Sequence, residues 1–359
     1  MTNNNNYKTK IDILMESPVY AMSLGSKELF HSNFWAWLIE SDYVFATVFF
    51  PNIDTSSIIA VGREDKNKDI TIYMKNNSCY VIENKIKSIP TNNQLNNYRE
   101  NTTNFEKGVL TGIKETLNID DKNYWSFLSY KDISNRIRKI QSSSSNVIII
   151  KNSKLIVEYC DILDFLTDVV IERLEQTSNL LDFNSGYLNK IRFDDVYKKF
   201  KADDYIKKYL RNSQELLDIV PNGFELKTEP YFSDKNAIID IRFVIKDKMV
   251  IGVQIQGNQF RLVAERSIPN KCKEVFNEFL GYGWFDPSFD KRENKTIKGK
   301  PTSMTSTKGK IYNKYETSYY SFVYQYFDLD DDTRVYDKLY QLIIKYMKEA
   351  SEIAKKIEV

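Results

Sequence analysis

Histidine is nearly missing: His31 is the only one in 359 residues. Mechanisms that need several imidazoles are closed to this chain, including catalytic zinc sites built on two or three histidines. Cysteine is scarce too. Cys79, Cys160 and Cys272 stand far apart, with no C-x-x-C pair. That argues against a disulfide framework or a zinc finger and fits a reducing cytoplasm. No stretch approaches the ~20 apolar residues of a membrane-spanning helix. The opening MTNNNNYKTK also lacks the apolar run of a signal peptide, so a cytoplasmic protein with no membrane partner is expected. An excess of one charge is absent as well, since Lys+Arg 51 against Asp+Glu 49 leaves +2. Bulk charge announces no nucleic-acid binder, and any such surface has to be a local patch.

What is present is ordinary for a globular chain: 42% hydrophobic and 28% charged residues, at a length that allows two or three domains. Residues 26–40, SKELFHSNFWAWLIE, read as a helix. Ser26 can cap it, and Phe30, Phe34, Trp37 and Leu38 recur on one face. Three strands are expected at 58–63, 69–74 and 79–85, with Asn76-Asn77 turning between the last two. Pro90 can open the next helix, which carries Gln94, Leu95 and Tyr98. Strands at 107–111 and 124–130, a helix from Lys131, a break at 142–145 and a short buried strand at 147–151 follow. A helical stretch over about 155–220 ends at Pro221-Asn222-Gly223. Beyond it lie a β-rich region over 225–264 with strands near 237–245, 249–256 and 259–264, a basic loop at 286–314, a strand at 319–327 and an amphipathic helix at 333–357.

The informative segment is 62–98. Asp69 opens one strand, and Glu83-Asn84-Lys85 ends the next across a hairpin. Positions 83 and 85 are two apart on a strand, so their side chains share a face, and the hairpin brings Asp69 beside them. Two carboxylates and an ammonium at a sheet end suit a hard divalent cation, Mg2+ or Mn2+, which keeps waters and accepts phosphate oxygens. Such an ion lowers the pKa of a bound water and screens charge building on a phosphate. The lysine can orient or deprotonate that water, or stabilise the transition state electrostatically. The backbone carbonyl of Asn84 is a further candidate ligand. Without its surroundings, IENK could equally end any edge strand as a surface ion pair.

The surroundings carry a resemblance. D-x(13)-E-x-K within an α-β-β-β-α-β order resembles the PD-(D/E)XK nuclease superfamily. Gln94-x-x-x-Tyr98 on the following helix resembles a motif added in one branch of it. The phrases ELFHSNFWAWL, YVIENKIKS and QLNNY look like a bacterial family of that superfamily, over roughly residues 24–140. Lys68 occupies the place of the usual proline. The resemblance implies a mixed central sheet flanked by helices and a Mg2+-dependent deoxyribonuclease acting on phosphodiester bonds. By it, Asp69 and Glu83 are metal ligands and Lys85 the catalytic lysine. Gln94 and Tyr98, with Lys87, would contact the nucleic-acid backbone or brace the site. An acidic residue of the first helix completes the metal shell. Glu28 fits, His31 fits as well, and Glu64 just upstream of Asp69 is a third candidate. The superfamily's habits suggest defence against foreign DNA. The partner implied is nucleic acid, DNA foremost, and a homodimer is left open.

Two further patterns stand outside that segment. Asp240 precedes Gln254 by the same interval that separates Asp69 from Glu83, and Gln254-Ile255-Gln256 then occupies the place of Glu-x-Lys. It reads either as a hairpin emptied of its charges or as coincidence. The lysines of the loop 286–314 read either as a phosphate-ordering patch or as a solvated loop. Trp35, Trp37, Trp125 and Trp284 are expected as core anchors. The domain map expected is a nuclease core over 1–152, a helical connector over 153–220 and a C-terminal α+β domain over 221–359.

Overall fold

The alternation of apolar residues over 58–84 closes a three-stranded meander, because each strand buries one or both faces only when its neighbours pair with it. That meander organises the first part of the chain. The computed structural model describes residues 2–23, 27–65, 67–86, 91–117, 119–233, 236–245, 249–286, 313–316 and 318–357. It is mixed α/β and divides into two units, 1–176 with 185–196, and 177–184 with 197–359. Among the described residues no helix is long and apolar enough to cross a membrane.

In the first unit, α1 (Thr2–Glu16), α2 (Pro18–Ser23) and α3 (Lys27–Ser41) precede β1 (Ile58–Asp65), β2 (Lys68–Met74) and β3 (Cys79–Asn84). Then come α4 (Asn92–Glu100), β4 (Phe105–Gly112), β5 (Trp125–Ser129), α5 (Tyr130–Ser143), α6 (Val147–Lys151) and α7 (Ser153–Gln176). The sheet order is β1-β2-β3-β4-β5. β1, β2 and β3 pair antiparallel, while β4 and β5 continue parallel to β3. A parallel neighbour needs a crossover, and α4 supplies it. Val81 and Ile82 of β3 are wholly buried, as befits a strand covered on both faces. β1 is irregular at both ends: its register shifts between Ile58 and Ala60, and Glu64 adopts φ 52°.

The second unit holds most of α8 (Asp194–Tyr205), a π-helical turn over 206–210, and α9 (Gln214–Asp218). β6 (Glu225–Ser233), β7 (Asn236–Ile245), β8 (Met249–Gln256) and β9 (Gln259–Arg266) follow. α10 (Cys272–Gly281), β10 (Asn313–Glu316), β11 (Ser321–Asp328) and α11 (Tyr336–Lys356) complete it. The sheet order is β10-β11-β9-β8-β7-β6, antiparallel throughout. Ile239, Ile241, Val253, Ile255, Phe260 and Leu262 alternate along their strands into one core, which Ile343 and Met347 of α11 complete.

Several expectations need correction. The run 147–151 is a helical turn, not a buried strand. Asn146 caps it by accepting from the Ile148 N–H, and only Ile149 is buried while Val147, Ile148 and Ile150 are exposed. No separate connector occupies 153–220, because α7 belongs with the first unit and residues from 197 onward with the second. The buried residues of α3 are His31, Ser32, Trp35, Ala36, Leu38 and Ile39, so Phe30, Phe34 and Trp37 lie at the margin of its core face. β6, α10 and β10 were not expected as separate elements. Ser26, Pro90 and most of the loop 286–314 lie outside the described residues.

Candidate active site

The register of β2 against β3 sets Ile70 opposite Ile82 and Thr71 opposite Val81. One step further the same register brings Asp69 to Glu83, on one face of the sheet. On the other side of β3, Leu110 stands opposite Glu83 and Thr111 opposite Asn84. The Thr111 carbonyl accepts the Lys85 N–H at 2.9 Å, so the backbone stays pinned past the end of the strand. Gly112 permits this approach, since a Cβ there would stand 2.7 Å from the Lys85 carbonyl oxygen.

Asp69, Glu83 and Lys85 are brought together. Asp69 Oδ2 accepts the Asn84 N–H at 2.6 Å. Glu83 is only 2% exposed, and its Oε1 lies 2.7 Å from Lys85 Nζ. The same oxygen accepts from Gln94 Nε2 at 3.1 Å, and the Tyr98 hydroxyl lies 3.2 Å away. Gln94 and Tyr98 reach it from α4, four residues apart and thus on one helix face. Thr91 caps that helix by accepting from the Gln94 N–H. Tyr98 is held in turn by Gln94 Nε2 at 2.8 Å and by the Asn67 carbonyl at 2.9 Å. In this arrangement Gln94 and Tyr98 brace Glu83.

The electrostatics follow from burying like charges together. Asp69 is pushed up to about 7, by burial first and by the Glu83 charge second, against the pull of the Asn84 N–H and of Lys85. Burial also raises Glu83, with Lys85 opposing. For Lys85, burial disfavours the charge, but the Glu83 carboxylate outweighs it and the pKa ends above its ordinary value. Lys85 is therefore an ammonium at neutral pH, suited to orient a water or steady negative charge rather than to take a proton.

Asn84 ties the site to the core. Its side-chain oxygen accepts from Tyr130 Oη at 2.6 Å and Thr111 Oγ1 at 3.1 Å, and its amide donates to the Glu28 carbonyl at 2.9 Å. With the side chain so engaged, what Asn84 can offer a ligand is its backbone carbonyl. Thr111 and Tyr130 were not foreseen. They stand 27 and 46 residues along the chain from Asn84, and no local pattern signals a contact that distant.

The remaining candidates separate. Glu28 comes to the site: its Oε1 accepts the Ile86 N–H at 3.0 Å, and its charge adds to the hold on Lys85. His31 does not share that position. It is 1% exposed, its Nδ1 lies 2.9 Å from the Tyr159 hydroxyl, and it packs among Phe30, Trp35 and Tyr130. His31 is thus an aromatic-core residue, placed apart from Asp69 and Glu83. Glu64 is exposed, close enough to help raise Asp69. Lys87 lies outside the described residues.

One atom speaks to a cation. Glu83 Oε2 is buried with no hydrogen-bond partner. An unsatisfied buried carboxylate oxygen costs on the order of 1–3 kcal/mol or more. A divalent ion beside it would remove that cost and the repulsion with Asp69 together. The donors present are all oxygen, which fits Mg2+ or Mn2+. Among the described residues no group of three or more His, Cys, Asp or Glu side chains could hold a metal ion. An ion here would draw its other ligands from the Asn84 carbonyl and from water, as Mg2+ commonly does.

Comparison of the chain with protein-family models, with curated proteins and with solved structures gave no match.

Proposed function

We propose that the first unit is a metal-dependent nuclease of the PD-(D/E)XK kind, hydrolysing phosphodiester bonds in DNA. The observation that carries this is the orphaned Glu83 Oε2 beside an Asp69 carboxyl raised to about 7, with the Lys85 ammonium 2.7 Å from the other Glu83 oxygen. A buried and a half-buried carboxylate held together by a register, one of them braced from α4, are costly without a cation to share. The order α3-β1-β2-β3-α4-β4 supports the same reading, since it is the α-β-β-β-α-β order that the resemblance implies.

Asp69, Glu83 and the Asn84 carbonyl would hold the ion, with Glu28 at the margin of the site. A bound Mg2+ or Mn2+ supplies Lewis acidity, lowering the pKa of a water and neutralising phosphate charge. The chain does the rest. Gln94 and Tyr98 fix Glu83 through Oε1 and so aim Oε2. The Lys85 ammonium orients the attacking water and steadies charge gathering on the phosphate oxygens. Asn84, locked by Tyr130 and Thr111, keeps the end of β3 from shifting as charge moves.

The test is cleavage of plasmid, linear and single-stranded DNA, and of RNA, with Mg2+, Mn2+ or EDTA, beside Lys85→Ala. Metal-dependent cutting of DNA that the substitution abolishes is the expected result. Nucleic-acid binding that survives the substitution, with no cutting by the wild-type chain under either metal, overturns the proposal in favour of a binding module.

A further inference from the structure

The second unit contains a cavity of about 900 Å³ at one end of its antiparallel sheet. The β8–β9 turn forms one wall and residues 180–184 another. Its volume is in the range of small-molecule sites, roughly 300–1,000 Å³. Nothing in the chemistry of Asp69, Glu83 and Lys85 uses it.

Arg261 is the informative residue. It projects from β9, opposite Gln254 on β8 and Tyr326 on β11. Gln259 Oε1 accepts from its Nε at 2.9 Å and its Nη2 at 2.7 Å, and Gln254 Oε1 accepts from its Nη1 at 3.1 Å. The Tyr324 ring lies 4.5 Å from the guanidinium carbon. Every one of these partners is neutral. Among the described residues no carboxylate pairs with Arg261, and burial draws its pKa down. A guanidinium has five N–H donors, and three are used here. A half-buried cation fixed by amides, with donors to spare at a cavity wall, is a preformed anion anchor.

The rest of the wall limits which anion. Arg334 also lines the cavity, and its Nε is buried with no hydrogen-bond partner. Its other nitrogens hold Asn258 Oδ1, at 3.2 Å, and Asp331. The acidic lining residues do not cancel Arg261. Asp182 and Asp331 face Arg334, and Asp328 and Asp331 are exposed to solvent. Gln256 and Gln259 line the same space, and among the described residues none hydrogen-bonds the Gln256 side chain. Side-chain amides both donate and accept, the pattern that reads a nucleobase edge. Phe183 adds a partly buried aromatic ring. A bare inorganic anion would leave the amides and the ring unused.

We propose that this cavity binds a nucleotide, with Arg261 anchoring the phosphate and Gln256 reading the base. The site is independent of the nuclease reading. The test is isothermal titration of the full chain in EDTA, with the four nucleoside 5′-monophosphates, the matching nucleosides and inorganic phosphate. At least one monophosphate should bind, and its nucleoside about tenfold more weakly, as loss of a charge-assisted contact predicts. Arg261→Gln should weaken the monophosphate by about tenfold and bring it level with its nucleoside. Gln256→Ala, which breaks no bond among the described residues, should weaken the preferred base while leaving circular dichroism unchanged. Failure of every monophosphate to bind below ~1 mM overturns the proposal. So does phosphate binding as tightly as any nucleotide, or Arg261→Gln binding as tightly as wild type. If Arg261→Gln does not fold, unchanged binding in Gln256→Ala overturns it instead. Lys85→Ala should bind as wild type does. Loss of binding there would move the site to the first unit and also overturn the proposal, whereas absence of cleavage bears only on the nuclease reading.

Discussion

Asp69 Oδ2 accepts the backbone N–H of Asn84 at 2.6 Å, bridging β2 to β3 just where the sheet gives out. The bond fixes the carboxyl, yet the pKa of Asp69 still rises to about 7, because burial and the Glu83 charge outweigh it.

The metal-free chain should therefore lose stability as pH rises. The unfolded Asp69 ionises near 3.8 and the folded one near 7, so folding favours the protonated form. The stability this gives is complete below about 3.8 and is lost as pH climbs to about 7. Asp69→Asn, which carries no charge to bury, should be the more stable protein in EDTA at pH 8. Its advantage should shrink by roughly 2–3 kcal/mol at pH 5. Urea unfolding at the two pH values measures the gap, and an equal gap at both would contradict the assigned cause.

Mg2+ should stabilise the protein more at pH 8 than at pH 5, since ion and proton compete for Asp69. With the ion at ~100 times its Kd the gain should approach ~2.7 kcal/mol. Thermal melts with and without the ion give the answer. Glu83→Gln should lose most of the gain, because it removes the charge of the orphaned oxygen.

Tyr98→Phe removes one hydroxyl from Glu83 Oε1, and Gln94→Ala removes one amide. Each should cost ~1 kcal/mol of stability and weaken metal binding by about 10–100-fold, with kcat partly restored at saturating metal. If these side chains instead gripped the nucleic acid, KM for DNA would rise while metal affinity stayed put. Metal titrations at fixed DNA and DNA titrations at fixed metal distinguish the two roles.

Gly112→Ala should destabilise the first unit by about 2 kcal/mol, because the new methyl would collide with the Lys85 carbonyl. Backbone does not yield as a flexible side chain does. Cleavage should fall with it, since Lys85 is displaced. A variant with wild-type stability and activity would show that β4 and the end of β3 do not lie as close as described.

Much of the site was legible because it is local. Asp69, Glu83, Lys85, Gln94 and Tyr98 fall within 30 residues; the hairpin brings the first three together, and the family resemblance supplied Gln94 and Tyr98. What was illegible depends on distant packing. Glu28 and His31 look alike on a helical wheel, and distant partners such as Tyr130 and Tyr159, the latter 128 residues from His31, hold the imidazole in the core. The run 147–151 is as apolar as a buried strand, and the Asn146 cap decides for a helix. The expected connector fails similarly. Ile156, Tyr159, Leu163, Leu166 and Val170 of α7 are all buried, a face that joins it to the first unit. The Asp240–Gln254 pattern is half right. The two residues do pair across β7 and β8, in the register that relates Asp69 to Glu83. After β8, however, the chain turns straight back as antiparallel β9, with no crossover helix to carry a Gln-x-x-x-Tyr. The likeness ends at the hairpin.

The irregular backbone of β1 has a consequence for self-association. An outer strand offers a row of unpaired amides and carbonyls that another chain's strand could extend into a shared or growing sheet. Here the register slips near Ile58, the chain twists into a left-handed conformation at Glu64, and Arg63 and Glu64 are both exposed. A straight incoming strand would find neither an even ladder nor a neutral border. Both features disfavour extension of the sheet along that side.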